Sequence, residues 1–147
     1  MASYRSRKFI AAPPEIVFDY LADLSKHSEW AQHRLSIEPK DGASEVGATF
    51  TSAGHQMGLT TKNVLVVTEH VRPARFAFEA EGKEGHFRHA FDIDPSGEGA
   101  QVTKTFEVLR AGALAKVGLP VFAFIGPRNM RKDLQRIKAR LEQGAGQ

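Results

Sequence analysis

The sequence predicts an α+β fold in which a curved antiparallel sheet of six or seven strands wraps around a long C-terminal helix. The middle of the chain predicts the sheet, because short segments rich in Val, Thr and Phe alternate with turns rich in Gly, Pro and Asp. The tail predicts the helix, because apolar residues recur every three or four positions at Met130, Leu134, Ile137 and Leu141. With 147 residues, the chain has the length of one domain, and we expect residues 1–147 to form a single unit.

The N-terminal region predicts one strand followed by two short helices. Ser3–Ile10 is the predicted strand, and Pro14 suits the first turn of a helix because its missing N–H would be unpaired there anyway. Ser25 is placed to cap a second short helix that runs towards Trp30. The apolar face of the first helix is predicted to consist of Ile16, Val17, Tyr20, Leu21 and Leu24.

Strands that follow one another through short turns indicate an antiparallel meander. We expect hairpin links at Glu81–Gly85 and Asp94–Gly99, and a bend of the sheet at Gly47. The predicted strands of the meander are Arg34–Glu38, Thr49–Ser52, Leu59–Val71, Phe76–Ala80, Phe87–Ile93 and Gln101–Leu109.

The segment between the last strand and the tail helix is apolar on all sides, so we expect it to face the sheet. Pro120 and Pro127 are expected to kink or interrupt it. Since its glycines and prolines weaken helix continuity, we predict that Gly112–Pro127 is a mobile gate to the interior.

Composition excludes several classes of protein. The chain is 41% hydrophobic and 25% charged, as in ordinary globular proteins, and it has no cysteine for disulfides or thiolate metal sites. We expect a cytoplasmic protein with no integral membrane segment, because no secretory signal pattern is present and the weakly polar run Ala111–Gly126 is shorter than a spanning helix. The net charge of +3 is concentrated in the C-terminal helix, which we interpret as a solvated face and not as a nucleic-acid site.

No recognisable catalytic motif, metal motif or phosphate-binding loop is present, and we expect no cofactor and no metal. Among the six histidines, His86 and His89 are predicted to point to opposite faces of a strand, and His27 and His33 lack a carboxylate partner at metal-ligand spacing. Acid/base chemistry needs only positioned polar groups in an apolar cavity. Its candidates are His89, His55, Arg88, Glu79 and Asp19, most of which we expect on the surface.

The order of elements and five motifs resemble the START-like, helix-grip superfamily (SRPBCC type), and within it the polyketide cyclase/dehydrase and lipid-transport family. The resemblance covers nearly the whole chain and is specific for the fold but not for function. Its motifs are Ala12–Leu21, Asp23–Trp30, Val46–Phe50, Val67–Glu69 followed by Pro73–Phe76, and Leu134–Glu142.

The resemblance implies an internal cavity, with Trp30 near its mouth unless this side chain is an ordinary core tryptophan. The leading hypothesis is binding or transport of an apolar small molecule, such as a lipid or polyketide, by a monomer or homodimer. The alternatives are a polyketide aromatase/cyclase or dehydratase, and a protein-interaction module of the chaperone-like kind. Candidate cavity residues are Trp30, Phe76, Phe78, Phe87, His89, Phe91, Val121, Phe122 and Ile125.

His89 is the polar residue that we favour at such a site. Strand alternation places it on one face with Phe87, Phe91 and Ile93. It is either a histidine hydrogen-bonded within the core or a group that orients a ligand oxygen or moves a proton.

Overall fold

The computed structural model describes residues 3–26, 29, 34–38, 45–56, 59–83, 85–111 and 130–143. Several sequence-based predictions therefore lie outside the described residues. These are the predictions for His27, Trp30, His33 and the segment Gly112–Pro127, with Pro120, Val121, Phe122 and Ile125 in it. The side chain of His55 is also outside the described part, although its backbone is not.

Seven antiparallel strands form one curved sheet, as predicted, in the order β1-β7-β6-β5-β4-β3-β2. From β2 to β7 each strand pairs with the next, and β1 lies at one edge beside β7, the last strand. The strands are β1 Ser3–Ile10, β2 Arg34–Glu38, β3 Thr49–Gln56, β4 Leu59–Val71, β5 Arg75–Gly82, β6 Gly85–Ser96 and β7 Gly99–Ala111.

The hairpins are tighter than the sequence predicted. Pairing continues to Gly82 opposite Gly85 and to Ser96 opposite Gly99, so both predicted links are shorter. The second turn is this short because Gly97 adopts a φ of +58°, a backbone conformation that residues with a Cβ rarely adopt. Gly47 lies in the turn before β3, with a φ of +91°, and does not bend a strand as expected.

The described helices are α1, Pro14–Ala22, and a C-terminal helix that covers residues 130–143. Proline at the start of α1 agrees with the sequence prediction, and Val17, Phe18 and Leu21 are its buried face. A 3-10 turn, Leu24–Lys26, occupies the place where the second short helix was predicted to begin.

Strand alternation gives the sheet an apolar helix-facing side and a polar outer side. On β5 and β6, Phe76 lies opposite Phe91 on the helix-facing side, whereas Glu79 lies opposite Arg88 on the outer side. The main core residues on the helix-facing side and the two helices are Ile10, Val17, Phe18, Leu21, Phe76, Phe78, Phe91, Ile93, Val102, Leu134 and Ile137.

Polar contacts fasten the C-terminal helix to the N-terminal elements. Glu142 accepts a hydrogen bond from the backbone N–H of Ala11 at 2.9 Å and pairs with Lys138, which also donates to the carbonyl of Phe9 at 3.1 Å. The Lys138 ammonium, and then the Ala11 amide, lower the pKa of Glu142. These contacts fix the helix against the end of β1.

Candidate ligand-binding site

A row of aromatic side chains lies on the helix-facing side of the sheet, at the end away from α1. We call Tyr4, Phe78, Phe87, His89 and Phe106 the aromatic wall. The His89 ring stacks on Phe78 at 4.7 Å between centroids and meets Phe106 edge-on at 5.0 Å. Phe106 also stacks on Phe87 at 5.5 Å and on Tyr4 at 6.3 Å. Four strands therefore contribute to one continuous aromatic surface.

Strand register explains why these rings meet. In an antiparallel pair, residues directly opposite each other point to the same face. Phe78 lies opposite His89, His89 opposite Phe106, and Phe106 opposite Tyr4, so the four side chains form a single line across the sheet. Phe87 lies beside this line on β6, two residues before His89.

Burial divides the helix-facing side into a filled end and a partly accessible end. At the filled end Phe76 and Phe91 are 0% exposed, and Phe18 of α1 contacts Phe76 edge-on. In the aromatic wall Phe78 is also buried, at 1% exposed, whereas Phe87, His89 and Phe106 are only partly buried. Large rings that are only partly covered leave apolar surface with which a ligand can make contact.

His70 is a second histidine on this side that the sequence did not single out. It lies on β4 opposite Phe76, and its ring meets Phe18 edge-on at 5.0 Å. It belongs to the filled end, where its side chain packs against Phe18 of α1.

A buried lysine closes the inner end of the aromatic wall. Lys104 of β7 is 4% exposed, lies opposite Phe91, and places its Nζ 5.5 Å from the centre of that ring. Its Nζ lies 3.7 Å from Oδ2 of Asp133 on the C-terminal helix. Burial lowers the pKa of Lys104, and Asp133 opposes this effect only in part.

Sequence reasoning missed Lys104 and Asp133. The signal was present on β7, where Val102, Phe106 and Val108 share the inward face and Lys104 stands between them. A lysine at an inward position of an alternating strand is uncommon, because a buried ammonium costs free energy unless it is paired. Its partner comes from a distant helix, and no spacing in the sequence identifies it.

Two of the acid/base candidates lie on the outer face. Arg88 is 3.5 Å from Glu79, and the other carboxylate oxygen of Glu79 lies 2.6 Å from Nε2 of His86. Arg88 is in addition 3.7 Å from Glu107 on the neighbouring strand. These groups form a solvated charge ladder on the side of the sheet opposite His89, and they are not part of the candidate site.

Asp19 is also remote from the aromatic wall. Its carboxylate accepts two hydrogen bonds from Arg72, at 2.8 and 3.0 Å, and both side chains are about half exposed. The Arg72 hydrogen bonds are the main reason why the pKa of Asp19 is lowered. The pair ties α1 to the turn between β4 and β5.

Two surface depressions lie elsewhere. One, of about 500 Å³, is on the outer face of β3 and β4 and includes Thr51 and Val64. The other, of about 290 Å³, lies between β1 and the C-terminal helix, and its walls are basic. The lining of this second groove is Ser6, Arg7, Lys8, Arg131, Lys132, Leu134 and Gln135.

Within the described residues, no group of His, Cys, Asp or Glu side chains is arranged to hold a metal ion. His86 and His89 point to opposite faces of β6, as their spacing predicts. Among the helices in the described part of the chain, none is long and apolar enough to cross a membrane.

The sheet, the helix against it and the order of strands define a helix-grip α+β protein. Residues 1–142 match the model of the family described as polyketide cyclase/dehydrase and lipid transport. The chain belongs to this family. No functionally curated protein matches the sequence.

Solved structures share the fold at low sequence identity. Protein TTHA0849 of Thermus thermophilus is 19% identical, with a TM-score of 0.74 over 97% of this chain and 99% of the other. CV1439 of Chromobacterium violaceum is 16% identical, with a TM-score of 0.76 over the same shares. DynU16, from the dynemicin biosynthetic locus, is 14% identical with a TM-score of 0.67, and the match covers 97% of this chain but 48% of DynU16.

Proposed function

We propose that the protein binds or transports an apolar small molecule, such as a lipid or polyketide, against the aromatic wall. The observation that carries this proposal is the partial exposure of Phe87, His89 and Phe106 on the helix-facing side of the sheet. Rings that only fill a core are completely covered, as Phe76 and Phe91 are. A ligand that covers the exposed edges of the wall would gain about 25 cal/mol for each Å² of apolar surface removed from water.

The family description supports this class of ligand, since it names lipid transport together with polyketide chemistry. We further propose that Trp30, Val121, Phe122 and Ile125 contribute to the ligand cavity, and that Gly112–Pro127 is its gate. Phe76 and Phe91 are completely covered and belong to the core beside the ligand, so the aromatic wall is the proposed contact surface.

A second candidate function is that of a polyketide aromatase/cyclase or dehydratase. Two polar groups favour it, because His89 and Lys104 share the helix-facing side among apolar residues. They are diagonal neighbours on adjacent strands, which places such residues about 7–8 Å apart. That separation lets two groups contact one polyketide-like substrate, one as a proton donor and the other as an acceptor.

A titration with fluorescent apolar probes and fatty acids tests the binding proposal, with native mass spectrometry on gently purified protein to detect a retained ligand. Phe106→Ala removes the centre of the aromatic wall and is expected to weaken binding by about 1–3 kcal/mol. Thr105→Ala is the matched control, because Thr105 is the adjacent residue on the outer face. The proposal fails if no probe binds the wild type, or if both variants bind as the wild type does.

His89→Phe refines the same experiment. The substitution keeps a ring of similar shape against Phe78 and Phe106 but removes both ring nitrogens. Binding of a pure hydrocarbon is expected to be unchanged, whereas ligands with a carbonyl or hydroxyl are expected to lose about 1 kcal/mol. Equal affinity of the variant and the wild type for both kinds of ligand would assign His89 a packing role alone.

A further inference from the structure

Lys104 lies at the boundary between the filled end and the accessible end of the helix-facing side. One step inwards along this side, Val102 and Ile93 are 0% and 2% exposed. One step outwards, Phe106 and His89 are partly exposed. The amine therefore lies where the inner tip of a ligand on the aromatic wall would end.

Burial disfavours the charged form of Lys104, whereas Asp133 and the face of the Phe91 ring favour it. A buried ammonium loses its hydration, at a cost of several kcal/mol, and needs close carboxylates to compensate. Asp133 lies 3.7 Å away, and its other oxygen accepts a hydrogen bond from Arg136 at 3.0 Å. Its negative charge is thus shared between two cations. Burial consequently dominates, and the pKa of Lys104 is lowered.

The pKa of a lysine shifts readily when the side chain is buried. A desolvated neutral lysine is a nucleophile towards carbonyl carbon. Among the described lysines, Lys104 is the one that is buried, whereas Lys26, Lys62, Lys83 and Lys132 are exposed. Its Nζ lies 5.5 Å from the centre of the Phe91 ring, one position inwards of the partly exposed His89 and Phe106.

We propose that Lys104 forms an imine with aldehydes or ketones that have an apolar, aromatic body and bind against the aromatic wall. This inference rests on the proposed function, because the wall must first bind the body of the molecule. It adds a substrate class and a covalent role for one residue.

The reaction balances without an oxidant or reductant. The nitrogen lone pair attacks the carbonyl carbon and a C–N bond forms, after which one proton passes from nitrogen to the carbonyl oxygen to give a carbinolamine. The C–O bond then breaks, the oxygen leaves as water with a second proton, and nitrogen loses its last hydrogen to form C=N. Asp133 lies beside the nitrogen, so it holds the released proton and faces the cation if the imine is protonated.

The experiment uses 2-naphthaldehyde as the probe and sodium cyanoborohydride to reduce the imine to a stable secondary amine. Intact mass and peptide mapping of the wild-type protein then identify the modified lysines. We expect modification of Lys104 to precede that of Lys132 and Lys138, because each unit by which the pKa is lowered raises the neutral fraction about tenfold. Label spread evenly over exposed lysines, with Lys104 unmodified, overturns the proposal.

Two variants sharpen the result. Lys104→Arg keeps a cation beside Asp133 but has no amine that forms an imine. The initial rate of labelling should therefore fall by at least about tenfold. Lys138→Arg, on the C-terminal helix, is the control and should label as the wild type does. If Lys104→Arg labels as fast as the wild type, the proposal is wrong.

A parallel titration with 2-naphthol, which has the same body without the carbonyl, separates the two proposals. Binding of 2-naphthol without label on Lys104 removes the imine and leaves the proposed function intact. If neither compound binds, the proposed function fails and the imine proposal fails with it. Binding of 2-naphthol with selective label on Lys104 supports both.

Discussion

The two faces of strands β5 to β7 have opposite chemistry, and two histidines of one strand illustrate it. His86 points outwards and its Nε2 lies 2.6 Å from the Glu79 carboxylate, whereas His89 points inwards and lies between Phe78 and Phe106. The residue type and the strand are the same. Cross-strand neighbours, set by register, decide whether an imidazole belongs to a solvated ion network or to an apolar site.

The faces also differ in what they contribute to stability. Ion pairs on the outer face are partly exposed, and such pairs contribute little each because water and salt screen them. The inner face removes large rings from water, which is the dominant stabilising effect in folding. The inner face itself divides further, since the rings of the filled end are completely covered, whereas most rings of the aromatic wall are only partly covered.

The largest expected effect is the loss of stability when a ring of the filled end is removed, compared with a ring of the aromatic wall. Phe76→Ala, at the filled end, is expected to lower the free energy of unfolding by about 3–5 kcal/mol because it leaves a cavity. Phe106→Ala is expected to cost only about 1–2 kcal/mol because its ring is partly exposed. Urea denaturation followed by circular dichroism measures both.

Arg88→Ala on the outer face is the control and should change the free energy of unfolding by no more than about 1 kcal/mol. Equal losses for Phe76→Ala and Phe106→Ala would show that the aromatic wall is an ordinary part of the core. The distinction between the two ends would then disappear.

An intermediate effect concerns the buried amine. The pKa of Lys104 is lower in the folded protein than in the unfolded chain, where it is about 10.4. Between these values the unfolded chain binds more protons, so the Lys104 contribution to stability rises with pH. The free energy of unfolding of Lys104→Met, minus that of the wild type, should therefore fall as pH rises from 7 to 10.

Other groups near the amine do not produce this trend. Asp133 and Arg136 approach it from the C-terminal helix, Ser6 lies opposite on β1, and His89 is diagonal to it on β6. The wild type and Lys104→Met both contain these groups, so their contributions cancel in the difference between the two proteins. A difference between variant and wild type that stays constant from pH 7 to 10 would contradict the assignment.

The smallest effect is expected at the exposed pair that ties α1 to the β4–β5 turn. Asp19→Asn removes one partner of Arg72 and should lower the Tm by no more than about 3 °C at neutral pH. The lowered pKa of Asp19 means that its contribution is present above the unfolded value, about 3.9, and is lost as pH falls through the folded value. The Tm values of Asp19→Asn and the wild type should therefore converge as the pH falls. A difference in Tm that persists at pH 2 would show that the Asp19–Arg72 pair is not its source.

Local patterns were sufficient to predict the strands and the meander from β2 to β7, but not the place of β1 beside β7. Phe76 and Phe78 on β5, and Phe87, His89 and Phe91 on β6, alternate as a half-buried sheet requires, and they share one face in the structure. The helical spacing of Leu134, Ile137 and Leu141 likewise predicted the buried face of the last helix. These features are local, and periodicity is a local property.

The candidate site was less predictable because it depends on contacts between distant parts of the chain. Alternation separates Arg88 from His89, but only the docking of the helices determines which side is the interior. Lys104 and Asp133 meet because β7 and the C-terminal helix pack together, and no motif connects them. The tight turn at Gly97 was predicted as a longer loop, because a cluster of turn residues marks a reversal but not its length.

The pairing of β1 with β7 has a consequence for biosynthesis. A contact such as that of Arg7 with Thr103 joins residues 96 positions apart, and the amide of Ala11 reaches a carboxylate 131 positions away. During translation, β1 emerges well before its partner β7, whereas each hairpin from β2 to β7 is able to close as soon as its second strand emerges. Until β7 emerges, β1 has an unpaired edge. Its basic residues Arg5, Arg7 and Lys8 disfavour pairing of this edge with another nascent chain.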